Sequence, residues 1–99
     1  MEFKGTKGEW GFLSFSTHFE IIDSEGNIIA QVGNPISGDL VVEQANAGLI
    51  AAAPELLGAL KGQLEIAQNC LESHKDSISD KIFWEGQVDR LSKVIKKAL

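Results

Sequence analysis

The sequence has few of the residues that build catalytic and metal centres. It has no tyrosine, two histidines and a single cysteine, Cys70. One cysteine excludes a disulfide within the chain, so the sequence is compatible with a reducing, cytoplasmic compartment. Cys70 and His74 are four residues apart and could share one face of a helix. Structural zinc needs four ligands and two more are not evident, so we expect no metal site.

Catalytic motifs are missing as well. No serine stands in a nucleophile elbow, and no glycine pattern matches a Walker or dinucleotide-binding loop. The segment of residues 5–8 contains two glycines and a lysine, but no strand signal precedes it and no helix signal follows it. The carboxylates are scattered along solvent-facing positions. We therefore expect a protein that is not an enzyme and needs no cofactor.

Long hydrophobic runs are also lacking. The first eleven residues are charged and contain no apolar core of a signal peptide. Residues 49–60 are apolar, but this run is too short for a membrane span and contains Pro54. The sequence predicts no association with a membrane.

What the chain does have is the composition of one small globular domain. It has 99 residues, of which 43% are hydrophobic and 23% charged. The formal net charge is −5, which argues against direct nucleic-acid binding. The last ten residues carry four basic side chains and no acid, a pattern typical of a helix C-terminus.

The first third of the chain carries strand signals. Residues 10–15, 18–22 and 27–32 are rich in aromatic and β-branched side chains, which predicts a β-meander over about residues 9–33. Residues 23–27 predict a hairpin turn in which Gly26 is left-handed, in a type I turn with a G1 bulge. In the third run, alternation predicts Ile28, Ala30 and Val32 on one face, with Ile29 and Gln31 on the other.

The apolar period then changes to that of helices. Residues 33–38 predict a loop, and Ser37 or Asp39 offers an N-cap for the helix that follows. Two apolar stripes with alternating spacings of four and three come next. The first consists of Ala53, Leu57, Leu60, Leu64, Ala67 and Leu71, and the second of Trp84, Val88, Leu91, Ile95 and Ala98.

Two such stripes separated by a short polar link predict an antiparallel αα-hairpin. Pro54 should end the preceding helix. It should then stand at N1, the first position of the next helix. We expect helices over about residues 39–53, 54–74 and 78–98. Gly58 and Gly62, four residues apart, are either tolerated weak points or a place where another helix approaches closely.

The predicted fold class is α+β. A three-stranded antiparallel β-meander is followed by a kinked helix and an antiparallel αα-hairpin, in a single domain of residues 1–99. A two-helix layer of this length leaves part of its apolar surface uncovered, so we expect a homodimer.

Residues 45–60 read ANAGLIAAAPELLGAL. They resemble a recurrent motif of short bacteriophage and prophage proteins. That motif consists of ANA, a basic residue, LIAAAPELL, a polar residue and AL, in this order. The resemblance extends upstream to Trp10, the turn at residues 23–27 and the strand segment Ile-Ala-Gln-Val, and so covers roughly residues 10–60. It implies a phage protein in the cytoplasm of a bacterial host and implies no catalytic residues. Gly48 and Gly58 depart from it, because charged residues usually stand at these two positions.

Binding surfaces remain as candidates for function. The sheet has more aromatic side chains than one thin face needs, namely Trp10, Phe12, Phe15 and Phe19. We therefore expect an outward sheet face around Phe12 and Phe15. The other candidate binding residues stand on the predicted last helix: Phe83, Trp84, Arg90 and Lys93. The first hypothesis is a phage inhibitor that blocks a host defence protein by contact, as anti-CRISPR proteins do. The second is an oligomeric sponge for a nucleotide second messenger, bound by aromatic stacking and basic groups. The third is a structural or accessory phage protein.

Overall fold

The computed structural model describes residues 2–33 and 40–99. Three strands are followed by three helices: β1 Gly11–Ser14, β2 Phe19–Ile22, β3 Ile28–Val32, α1 Leu40–Ala51, α2 Ala53–Ser73 and α3 Ile78–Ala98. The strands form one open antiparallel sheet in the order β1-β2-β3, and α2 and α3 pack as a hairpin. The expected α+β fold class is confirmed. The expected N-caps Ser37 and Asp39 lie outside the described residues.

The chain divides into two compact units. One consists of residues 4–55 and contains the sheet and α1, and the other contains residues 56–99. They are called the sheet unit and the hairpin unit below.

Two tight turns fix the register of the sheet. The first is the two-residue connection after Phe15, where the Phe15 N–H donates to the His18 carbonyl at 2.9 Å. It sets Ser14 opposite Phe19 and Gly11 opposite Ile22. β2 therefore follows β1 by a two-residue hairpin loop, the shortest connection that an antiparallel pair allows.

The second turn is the predicted hairpin between β2 and β3. The Gly26 N–H donates to the Asp23 carbonyl at 3.1 Å, and Gly26 has φ +86°, the left-handed conformation that this turn requires. The Asp23 carboxylate accepts hydrogen bonds from the backbone N–H groups of Glu25 and Asn27, at 2.9 and 2.8 Å. The hydrogen bonds from Asn27 in particular lower the pKa of Asp23 below its ordinary value.

A β-bulge interrupts the alternation in β3. Ile21 pairs with Ala30 and Ile22 pairs with Ile28, so Ile29 is an extra residue with no partner of its own. As a result Ile29 packs against the core with Ala30 and Val32, while Ile28 is exposed. The expectation that Ile28 faces the same way as Ala30 and Val32 was wrong. The extra residue shifts the alternation by one position, so the side chains before it point to the opposite face of the sheet.

The core of the sheet unit lies between the sheet and α1. Phe19, Ile21 and Ala47 are buried, and Trp10, Phe12 and Val32 pack around them. The buried side of α1 consists of Glu43, Ala47 and Ala51, and two of these three side chains are short. This keeps the inward side of the helix thin, so it can lie close to the sheet.

Pro54 accompanies a helix break, as expected, but one residue away from the expected position. α1 ends at Ala51, Ala52 lies in a turn and its N–H donates to the Gly48 carbonyl at 3.0 Å. α2 begins at Ala53, so Pro54 is its second residue and not its first. The N–H groups of the first turn have no partner within a helix, and a proline there costs no hydrogen bond.

The hairpin unit buries the predicted stripes. Leu64 and Ala67 of α2 and Ile95 of α3 are buried. The remaining stripe positions are partly buried, apart from Ala98, which is exposed at the end of α3. A Cβ added at Gly58 or Gly62 would meet no atom of the described residues within 4 Å. No part of the described chain therefore approaches these glycines closely.

Candidate functional site

The outward face of the sheet forms the first candidate surface. The strand register places Leu13, Glu20 and Gln31 in one row across the sheet, and Ile22 and Ile28 in the next. Leu13 and Ile28 are about half exposed, at 47% and 58%. This face therefore presents apolar side chains around a single carboxylate.

An aromatic stack borders the outward face of the sheet. The rings of Phe15 and His18 are 5.0 Å apart and nearly parallel. The His18 imidazole is hydrogen-bonded on both nitrogens, to the Thr17 hydroxyl at 3.1 Å and to the Glu20 carboxylate at 3.3 Å. These bonds fix the ring plane, so Phe15 is held against a rigid neighbour.

Phe12 does not share this surface with Phe15. It packs edge-to-face on Phe19, with ring centroids 5.8 Å apart, and belongs to the core beneath α1. The expectation of an outward sheet face containing both Phe12 and Phe15 was therefore wrong for Phe12. Successive residues of a strand point to opposite faces, and Phe12 is an odd number of residues from Phe15.

The outward side of α1 is a second apolar surface, which sequence reasoning missed. Val41 is 80% exposed, Val42 is 53% and Leu49 is 64%. The opposite side of the same helix carries the buried residues Glu43, Ala47 and Ala51. The available signal was an apolar run at residues 40–42 and another that begins at Leu49, so apolar residues stand on more than one side of the helix, beside the polar Gln44 and Asn46.

The two units differ in charge. The sheet unit, residues 4–55, contains two lysines and seven acidic residues, a formal charge of −5. Residues 56–99 contain seven basic and six acidic residues, a formal charge of +1, and the negative charge of Glu2 cancels it. All of the net charge of the chain is therefore carried by the unit that contains the α1 surface.

The remaining candidate residues lie on α3. Phe83 is 56% exposed and packs edge-to-face on the partly buried Trp84, with ring centroids 4.9 Å apart. Arg90 donates to the Gln87 side-chain oxygen at 2.6 Å, and Lys93 forms an ion pair with Asp89 at 2.9 Å. The structure thus brings the two rings together, while each basic group has a neighbour on its own helix.

The described residues also bear on metals and membranes. Residues 2–33 and 40–99 contain no group of three or more His, Cys, Asp or Glu side chains placed to hold a metal ion. Within the same ranges, no helix combines the length and the apolar character that crossing a bilayer requires.

Comparison with known proteins identifies the family. The family model described as Salmonella phage P22 protein Y8K6 matches residues 1–99. The chain belongs to this phage protein family. The match includes α3, which the motif resemblance at residues 10–60 left out. No curated protein and no solved structure gives a significant match.

Proposed function

We propose that this P22 Y8K6 family protein is a phage accessory protein that binds a host protein through α1 and inhibits it by contact. A component of a host defence system is the target we favour. The observation that carries the proposal is the apolar outward side of α1, where Val41 and Leu49 are 80% and 64% exposed.

A surface helix normally turns its apolar residues to the core and its charged or polar residues to solvent. The sheet covers only the side of α1 that bears Ala47 and Ala51. The other side exposes the large apolar side chains of Val41, Val42 and Leu49. Surfaces of this kind on soluble proteins mark contact sites for other proteins, because covering them removes apolar area from water.

The charge of the sheet unit supports a basic partner. The α1 surface belongs to residues 4–55, whose formal charge is −5, so long-range attraction favours a basic partner. Enzymes that handle nucleic acids carry basic surfaces, and nucleic-acid-directed defence enzymes are among them. Complementary charge would accelerate the encounter and make it sensitive to salt.

Capture and titration test this proposal. The wild type, a Val41→Asp/Leu49→Asp double variant and a Gln44→Asp control are used to capture proteins from host lysate, and the captured protein is then purified and titrated. The double variant should bind at least tenfold more weakly, while the control, which changes an exposed polar position of the same helix, should bind like the wild type. The activity of the captured protein should fall when the wild type is added.

Two results would count against the proposal, the first against contact through α1 and the second against inhibition. One is equal binding by the wild type and the double variant. The other is capture that leaves the activity of the target unchanged, which would favour a structural accessory role instead.

A nucleotide sponge is the second candidate, and Phe83 is the observation that favours it. Its half-exposed ring lies two helical turns from Arg90, on the same side of α3. A ligand would have to compete with Gln87 for the Arg90 guanidinium and with Asp89 for Lys93. A thermal-shift panel of cyclic nucleotides and ADP-ribose derivatives tests it, since a bound ligand stabilises the folded state by mass action. No shift at millimolar ligand would exclude the sponge.

A further inference from the structure

The side of α3 that faces away from the Trp84 stripe carries exposed apolar residues. Ile78, Ile82, Gly86, Arg90 and Val94 follow one another at intervals of four residues and form one ridge along the helix. Ile78 is 79% exposed and Ile82 is 65% exposed. With Phe83 and Val94 beside them, these side chains expose roughly 500 Å² per chain, the size of the largest patches on monomeric proteins.

Gly86 lies at the middle of this ridge. A Cβ added there would meet no atom of the described residues within 4 Å, so the space above it is open. A glycine inside a helix costs about 1 kcal/mol relative to alanine and gains nothing within its own helix. It does permit the backbone of another helix to approach closely.

The charges along α3 are segregated. Its first twelve residues, 78–89, carry one lysine and three acids, a formal charge of −2. The remainder carries Arg90, Lys93, Lys96 and Lys97 with no acid, a formal charge of +4. A parallel partner helix of the same sequence would place like charges together, whereas an antiparallel one would place the acidic half beside the basic half.

We propose that this ridge of α3 packs antiparallel on the same ridge of a second copy of the chain, with the two helices crossing at Gly86. A two-fold axis at Gly86 places Ile82 opposite Arg90 of the second copy, and Ile78 opposite Val94. Such an isologous contact uses the same surface on both copies and places the acidic half of each α3 beside the basic half of the other. The pairing uses α3 alone and does not depend on the partner proposed for α1.

The contact should be weak and sensitive to salt. Two copies together would bury about 1,000 Å², the lower limit for a specific interface. Because the opposed halves of α3 carry unlike charge, raising the ionic strength should weaken the dimer. Sedimentation at two salt concentrations measures this.

Cysteine crosslinking tests the geometry in a Cys70→Ser background. Gly86→Cys would place two thiols across the two-fold axis, within disulfide reach. Gly62→Cys is the matched control, because Gly62 is also a helical glycine whose added Cβ meets nothing within 4 Å. Gly86→Cys should form disulfide dimers at least tenfold faster than Gly62→Cys at the same protein concentration.

The direction of pairing is tested with a mixture. Ile82→Cys and Arg90→Cys, carrying tags of different mass, should crosslink to each other faster than either does to itself. Faster self-crosslinking of both would indicate parallel helices and overturn the antiparallel arrangement. Equal rates for Gly86→Cys and Gly62→Cys would overturn the pairing altogether, even if sedimentation shows a dimer, because the dimer would then use another face.

Discussion

Three glycines of the sheet unit offer a graded test of how this unit is built. Gly33 has φ +129°, and an added Cβ would lie 3.2 Å from both the His18 Cα and a Glu43 carboxylate oxygen. Gly26 has φ +86° with open space around it, and Gly11 has neither a positive φ nor a close neighbour. Comparing the stabilities of the three glycine-to-alanine variants therefore separates the cost of backbone strain from the cost of crowding.

The expected costs follow from these environments. Gly11→Ala should be neutral or stabilise the protein by up to about 1 kcal/mol, because glycine in a strand loses more entropy on folding. Gly26→Ala should cost about 1–2 kcal/mol from the left-handed conformation alone. Gly33→Ala adds a contact with the His18 backbone, which cannot rotate away, so its total cost should be about 2–4 kcal/mol. A chain of this length is stable by about 5–15 kcal/mol in all.

Urea denaturation followed by Trp10 fluorescence in a Trp84→Phe background measures the series, because Trp10 packs against the sheet core. Gly33→Ala should lower the midpoint by about 1–2 M urea. Equal losses for Gly26→Ala and Gly33→Ala would mean that the approach of His18 and Glu43 does not crowd Gly33. No loss for either would refute the positive φ angles themselves.

Other predictions concern the two cores, the hairpin turn and the start of α3. Ile21→Ala and Ile95→Ala each remove a fully buried side chain and should cost about 2–5 kcal/mol in thermal or urea unfolding. Hydrogen bonds hold the pKa of Asp23 below its ordinary value near 3.8, so its carboxylate stabilises the fold above that pH and loses this effect as pH falls through the folded pKa. The stability difference between wild type and Asp23→Ala should accordingly be constant near neutral pH and shrink below about pH 4, and a difference unchanged at pH 2 would contradict the assignment. Ser77 caps α3 without a side-chain hydrogen bond, so Ser77→Ala should change the free energy of unfolding by less than about 0.5 kcal/mol, and a loss of 1 kcal/mol or more would show that a cap bond forms.

Local patterns predicted most of the elements. The turn at Asp23 and Gly26 depends on residues within five positions of one another, and its position and left-handed glycine are as expected. The helical stripes also have a local period, and the most buried positions of the hairpin unit, Leu64, Ala67 and Ile95, lie on them. Propensity and periodicity suffice for such features, since each arises within one element.

The candidate surfaces were harder to predict, because exposure depends on what covers each side of an element. Phe12 and Phe15 are equally apolar in the sequence, yet one lies beneath α1 and the other stacks on His18. The bulge at Ile29 put Ile28 on the exposed face, although alternation placed it on the same face as Ala30 and Val32. The outward side of α1 could not be recognised before it was known that the sheet covers only the other side.

The sequence by itself determined the α+β class, the order of the strands and helices, the hairpin turn and the break near Pro54, because turn chemistry and apolar period act over a few residues. Its match over residues 1–99 also determined the phage family. Only the tertiary structure decided which apolar side chains remain outside the core. That outcome depends on strand register, on a single inserted residue and on which side of α1 meets the sheet, and these are set by packing between segments far apart in the chain.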